Sequence, residues 1–130
     1  MLETRVLTVV RYTLNYESMC HFYGDTLGWA VVEAWDRPGT RGSVFAPAGA
    51  VTGATVEILE LEGVGVPGVA PVNLVLTIFV DDARAAHGQL QRTGAAIVRG
   101  LEDTSWGHRS FGIDDPDGLR IWIVEVLPGD

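Results

Sequence analysis

The sequence predicts an α+β fold made of two βαβββ modules. Three observations carry this. Periodicity and turn residues give strand, helix and three strands, and then the same order again. The two halves overlay with nearly constant spacing: Gly28-Trp29-Ala30-Val31-Val32 lies over Gly94-Ala95-Ala96-Ile97-Val98, and Val56-Glu57-Ile58-Leu59-Glu60-Leu61 over the strand containing Trp122, Ile123 and Glu125. The 16 glycines in 130 residues mark many turns, which favours short strands over long helices.

In the first half, residues 5–14 are rich in β-branched side chains and carry no breaker, so they read as a strand. Asn15 is placed to cap the helix that follows. Apolar residues at 16, 19, 20, 23 and 27 share one helical face, and Gly28 stands where a left-handed residue closes a helix. Residues 29–35 read as strand two, 36–42 as a turn-rich loop, and 43–47 as a short strand three. Small residues from 47 to 53 form a loop, and 54–61 form strand four.

The second half begins after a glycine- and proline-rich stretch. Residues 73–80 read as strand five. Asp81 or Asp82 caps a helix through Ala83, Ala86 and Leu90, with Gly94 closing it. Residues 95–99 form strand six, 100–107 a loop and 108–113 strand seven. The Asp114-Asp115-Pro116-Asp117-Gly118 turn leads into strand eight. The expected organisation is one domain over 1–130, with modules at 4–62 and 73–127 joined by a linker at 63–72.

Composition narrows the function. The formal net charge is -8, and all nine basic residues are arginine. Such a chain repels phosphates, which argues against nucleic acid and anionic membranes and suits a neutral or cationic ligand. No apolar run is long enough to span a bilayer, and residues 1–5 do not read as a signal peptide. One cysteine, Cys20, excludes an intrachain disulfide framework. The expected location is the cytoplasm.

Four motifs in order resemble those of the vicinal oxygen chelate superfamily, which includes glyoxalase I, bleomycin-resistance proteins, fosfomycin-resistance enzymes and extradiol dioxygenases. Phe22-Tyr23-Gly24-Asp25-Thr26-Leu27-Gly28-Trp29 is similar to the signature ending its first helix. Val80-Asp81-Asp82 is similar to the motif before its second. Trp106-Gly107-His108-Arg109 and Asp115-Pro116-Asp117-Gly118 are similar to its closing signature. The resemblance spans residues 5–125. It implies a cup-shaped mixed sheet enclosing a pocket, and a homodimer.

Metal-dependent members of that superfamily place four ligands on the first and last strand of each module. The positions here are Thr8, Glu57, Val75 and Trp122. Glu57 is a good ligand and Thr8 a poor one. Val75 and Trp122 cannot bind a divalent cation, and moving either first strand by one residue offers only Leu or Val. The expectation is therefore no metal and no cofactor.

The candidate ligand-binding residues are Thr8, Glu57, Val75, Trp122, Trp106, His108, Arg109 and Trp35. Glu57 is also the candidate general base, or else a structural acid paired with Arg109 or Arg120. The four tryptophans suit stacking on a planar or cationic molecule. His21 and His87 read as surface or edge residues, and Asp114, Asp115 and Asp117 as turn chemistry. The expected function is metal-free binding of a cationic or aromatic compound, as in bleomycin-resistance proteins. The alternative is a lyase, isomerase or dioxygenase using Glu57 as base or a non-standard metal site.

Overall fold

The structure, a computed structural model, describes residues 1–47, 53–64 and 70–129. The chain divides into two compact units, Met1–Gly68 and Val69–Asp130. Each holds a four-stranded mixed sheet with a helix packed on it, so the α+β class and the βαβββ order are present in both. Among the described residues, no helix is long and apolar enough to cross a membrane.

The first unit runs β1 (Leu7–Tyr12), α1 (Tyr16–His21), β2 (Ala30–Arg37), β3 (Thr40–Ala46) and β4 (Ala54–Leu61), with sheet order β1-β4-β3-β2. β1 lies parallel to β4, and the other pairs are antiparallel. Burial alternates along the middle of β4, where Val56 and Ile58 are buried and Thr55, Glu57 and Leu59 are half-buried. Phe45, Val56 and Ile58 are buried on the helix side with Met19, Phe22 and Tyr23. The rings of Tyr23 and Phe45 are 6.2 Å apart there. On the same side Tyr16 and Ser43 share a 2.8 Å hydrogen bond between hydroxyls, and burial pushes the Tyr16 phenol above its ordinary pKa.

Three local features depart from the sequence expectation. The helix changes pitch after His21 into a π-helical turn over Phe22–Thr26, which shifts the apolar face and buries Phe22 and Thr26 beside Tyr23. Asn15 makes no side-chain cap hydrogen bond; instead the Asn15 N–H donates to Thr13 Oγ1 at 2.8 Å. The expected loop at 36–42 is a tight hairpin, because Trp35 pairs with Gly42 and Arg37 with Thr40. Residues 48–52 of the expected 47–53 loop, and 65–69 of the linker, lie outside the described residues.

The second unit runs β5 (Val75–Phe79), α2 (Ala83–Arg92), β6 (Ile97–Asp103), β7 (His108–Asp114) and β8 (Arg120–Val126), with sheet order β5-β8-β7-β6. β5 is parallel to β8. Asp82 caps α2 by accepting from the Ala85 N–H at 3.0 Å, and Glu125 accepts from the Ala83 N–H at 2.9 Å. Gly94 closes the helix with φ of 88°. Leu90, Phe111, Ile113, Ile121 and Ile123 form the core under α2. His87, expected at the surface or an edge, packs edge-on against Phe111 at 5.0 Å. β6 continues to Asp103 through register shifts between Arg99 and Glu102, where the sequence pattern predicts a loop.

The acidic turn does what its composition implies. Asp115 is buried, and its Oδ1 accepts from the Asp117 and Leu119 N–H groups, both at 3.0 Å. Asp114 pairs with Arg120 at 2.6 Å. These contacts fix where β8 begins, and with it the position of Trp122.

Candidate functional site

Each sheet has one face under its helix and one face turned away from it. Alternation assigns most of the predicted site residues to the faces turned away.

In the first unit, Thr8, Val10 and Tyr12 of β1 share that face with Thr55, Glu57 and Leu59 of β4. Thr40, Gly42 and Val44 of β3 and Trp35 of β2 complete it. Glu57 sits in the middle. Its register neighbours are Val10 on one side and Val44 on the other. No described residue gives its carboxylate an ion pair or side-chain hydrogen bond; Arg109 pairs with Asp103, and Arg120 binds Asp114 through Nε. A half-buried carboxylate between two valines retains most of its capacity to receive a cation or a donor N–H.

The rest of that face is partly aromatic. The Trp35 indole lies along β3 over Gly42, so that a Cβ at position 42 would come within 2.6 Å of Trp35 Cε2 and Cη2. Its Nε1–H donates to Thr40 Oγ1 at 3.2 Å, which fixes the ring. Thr8 and Thr55 spend hydroxyl capacity on each other, with their Oγ1 atoms 2.8 Å apart.

In the second unit, Val75 and Thr77 of β5 share the face with Arg120 and Trp122 of β8 and with His108, Ser110, Gly112 and Asp114 of β7. Arg99 and Glu102 of β6 lie across from Gly112 and Ser110. Trp122 again rests on a glycine. A Cβ at Gly112 would lie 2.6 Å from Trp122 Cζ3 and 3.0 Å from Cε3. Two guanidinium groups lie over the indole, that of Arg99 at 4.8 Å and that of Arg120 at 5.1 Å from a ring centroid.

His108 stands on this face, with the exposed Trp106 edge-on to it at 6.5 Å. Arg109 does not join them. As the next residue along β7, it points to the helix side with Phe111 and binds Asp103 at 2.7 Å. That contact holds the Asp103 carboxyl below its ordinary pKa and raises that of Arg109. Sequence reasoning also missed two members of the face. Arg120 lies two residues before Trp122 on the same strand, so alternation alone places it there. Arg99 reaches the indole only because of the irregular β6–β7 register, which no local pattern announces.

The four positions that resemblance marks for metal ligands do not fit a divalent cation. Thr8 is engaged by Thr55, Val75 has no donor atom, and Trp122 lies under two positive charges. Among the described residues, no group of three or more His, Cys, Asp and Glu side chains is gathered to hold a metal.

A family model described as the Glyoxalase/Bleomycin resistance protein/Dioxygenase superfamily matches residues 5–123. No curated protein matches the chain. Among solved structures, the chain is similar to TnmS3, an antibiotic binding protein from Streptomyces sp. CB03234. The identity is 24%, with 97% of each chain covered and a TM-score of 0.72. It is also similar to a glyoxalase/bleomycin resistance protein from the same organism, at 26% identity over 89% of this chain and 96% of that one, with a TM-score of 0.67. A superfamily member from Sphaerobacter thermophilus DSM 20745 shares 25% identity over 96% of this chain and 98% of its own, with a TM-score of 0.69.

Proposed function

The chain belongs to the glyoxalase/bleomycin resistance protein/dioxygenase superfamily, and from that premise we propose that it is a metal-free small-molecule binding protein that sequesters a cationic or aromatic compound without turnover. The observation that carries this reading is the fate of the Trp122 position. Where resemblance implies a metal-binding carboxylate, this chain has an indole under two guanidinium groups. The position therefore has no donor for a cation and a local field that opposes one. TnmS3, of the same fold, is described as an antibiotic binding protein, which supports binding over catalysis.

The first unit's face supplies the recognition chemistry. Glu57 offers charge, Trp35 and Tyr12 offer aromatic surface, and Val10 and the buried Val44 flank the carboxylate with aliphatic surface. A planar cation stacking here gains roughly 0.5–2 kcal/mol per aromatic contact, and a charge-assisted hydrogen bond to Glu57 adds about 1.5–3 kcal/mol. The test is a titration of the protein with a planar aromatic cation such as proflavine, read by tryptophan fluorescence and calorimetry. Micromolar binding that weakens about tenfold in Glu57→Gln is expected, with the melting temperature retained. Absence of binding by aromatic compounds of any charge refutes the reading. So does near-stoichiometric nickel, zinc, iron or manganese in the purified protein.

The alternative function, an enzyme of the superfamily with Glu57 as general base, has one observation in its favour: the carboxylate has no partner among the described residues. Turnover of a superfamily substrate that is lost in Glu57→Gln would establish it.

A further inference from the structure

The open face of the second unit differs in chemistry from that of the first. Its charged centre is a pair of arginines stacked on one indole, and the two have different bonding states. Both terminal nitrogens of Arg99 are committed. Nη2 donates to Ser110 Oγ at 2.6 Å, and Nη1 pairs with Glu102 Oε1 at 2.8 Å and donates to the Ser110 carbonyl at 3.3 Å. Arg120 is held through Nε alone, which donates to Asp114 Oδ1 at 2.6 Å. Among the described residues, nothing else hydrogen-bonds or ion-pairs with its guanidinium, so the outer edge with both Nη groups is unspent. The Arg120 side chain keeps 37% of its exposure.

We infer that this face is an anion-accepting site centred on Arg120, specific for an acidic group with paired oxygens (carboxylate or sulfonate) carried on a planar aromatic molecule. The inference rests on the small-molecule binding reading and adds a ligand class to it. Three features build the site. Trp122 and Asp114 lock the guanidinium plane, so little rotamer freedom is lost when it binds. The two outer Nη groups match the fork of a carboxylate or sulfonate. Val75, the register partner of Arg120 on β5, borders it with aliphatic surface that an aromatic ring can cover. Trp122 is a positioning residue here: its ring already carries two cations, and the guanidinium plane, not the indole, meets the ligand.

The chain's net charge of -8 does not forbid this. At physiological ionic strength the screening length is about 8 Å, so carboxylates farther off contribute little beside a direct two-point hydrogen bond. The nearby charges are Asp114, Glu102 and Arg99, and each acid is matched by an arginine.

The test uses three probes that differ only in charge: anthracene-2-carboxylate, anthracene-2-methanol and anthracen-2-ylmethylammonium. Each is titrated into the full chain and into Arg120→Gln, Arg120→Lys and Arg99→Gln, and read by probe fluorescence. The carboxylate is expected to bind wild type at least tenfold more tightly than the alcohol, and to lose that advantage in Arg120→Gln. Arg120→Lys keeps the charge and loses the fork, so part of the advantage remains. Equal wild-type affinity for carboxylate and alcohol overturns the inference, and that outcome needs no variant to fold. A carboxylate preference that survives in a folded Arg120→Gln overturns it too. If the ammonium probe binds and the carboxylate shows no preference, this inference fails and the function proposed above stands. If none of the three binds, both fail.

Discussion

Replacing Gly112 with alanine tests whether the seat of Trp122 is as tight as the structure shows. Two opposed effects meet at this position. Glycine in a strand interior is costly, so alanine gains roughly 0.5–1 kcal/mol from the unfolded chain's lost freedom. Against that, the new methyl would lie 2.6 Å from Trp122 Cζ3, 3.0 Å from Cε3 and 3.3 Å from Cη2. Those are ring atoms of a side chain pinned by Arg99 and Arg120, so the indole as a whole must move. Overpacking of this kind costs about 1–3 kcal/mol, and each displaced guanidinium contact forfeits a further ~0.5–1 kcal/mol. The net expectation is a loss of about 1–4 kcal/mol, which at roughly 3–5 °C per kcal/mol for a domain of this size lowers the melting temperature by roughly 3–20 °C.

Thermal unfolding followed by circular dichroism measures this loss, and the near-ultraviolet indole band reports the displaced ring. The decisive comparison is a double-mutant cycle. In a Trp122→Val background the overlap is gone, so Gly112→Ala should reverse sign and stabilise by about 0.5 kcal/mol. A wild-type background in which Gly112→Ala leaves the melting temperature and the indole band unchanged would refute the reasoning. It would mean that the ring is not held against β7.

Three further outcomes follow from the same geometry. Asp115→Ala leaves the Asp117 and Leu119 N–H groups without their acceptor at a buried turn and should cost about 1–3 kcal/mol in urea unfolding, whereas a loss below ~0.5 kcal/mol would show the turn to be held by other means. Asp103, its carboxyl held below the ordinary 3.8 by the hydrogen bond from Arg109, contributes stability that is present above that value and lost as pH falls through its depressed folded value. The melting-temperature gap between wild type and Asp103→Asn should therefore be constant from pH 7 to 5 and close below about pH 4; a gap that widens on acidification contradicts the assignment. Finally, Val75→His with Trp122→Glu restores metal-ligand side chains at two marked positions, yet should bind no more zinc by calorimetry than wild type. The new carboxylate would be paired by the unspent Nη groups of Arg120 in the field of Arg99, and submicromolar zinc binding would show that those arginines do not control the position.

Much of this fold was legible because local chemistry and global pattern agree. β4 spans 54–61 as its alternation requires, Asp82 caps α2, and the Asp-Asp-Pro-Asp-Gly turn closes on Asp115. The readings that failed were those where a neighbouring strand decided the matter. Residues 36–42 look like a loop, yet the chain turns in a tight hairpin because Gly42 admits the Trp35 ring. Residues 100–103 look like a loop, yet β7 holds them as strand through an irregular ladder. The site divides in the same way. Thr8, Glu57, Val75 and Trp122 were marked by resemblance, and the strand registers put them, with Trp35 and His108, on the faces turned away from the helices. Arg109 was grouped with His108 by adjacency in sequence, which alternation forbids. Arg120 was named only as a possible partner of Glu57, although alternation puts it beside Trp122, while Arg99 was out of reach of such counting, because its approach depends on a cross-strand shift.

The duplicated strand explains why the two faces came to differ. Glu57 and Trp122 occupy the same place in their modules, but their partners on the third strand do not match: Glu57 lies opposite Val44, and Trp122 opposite Gly112. An indole at 122 requires the glycine, since any side chain there collides with the ring. A carboxylate at 57 tolerates the valine, which helps to dehydrate it. Around each, the charges follow. The acid at 57 has no cation among its described neighbours, while the indole at 122 has collected two. Reversing either module's chemistry therefore takes several coordinated changes. This follows from packing: once a large ring fills the β8 position, the opposing residue must shrink, and flanking arginines gain from the exposed π surface. A superfamily fold can thus trade a metal-ligand position for a guanidinium-lined one while its helix-side core, under the opposite face, remains unchanged.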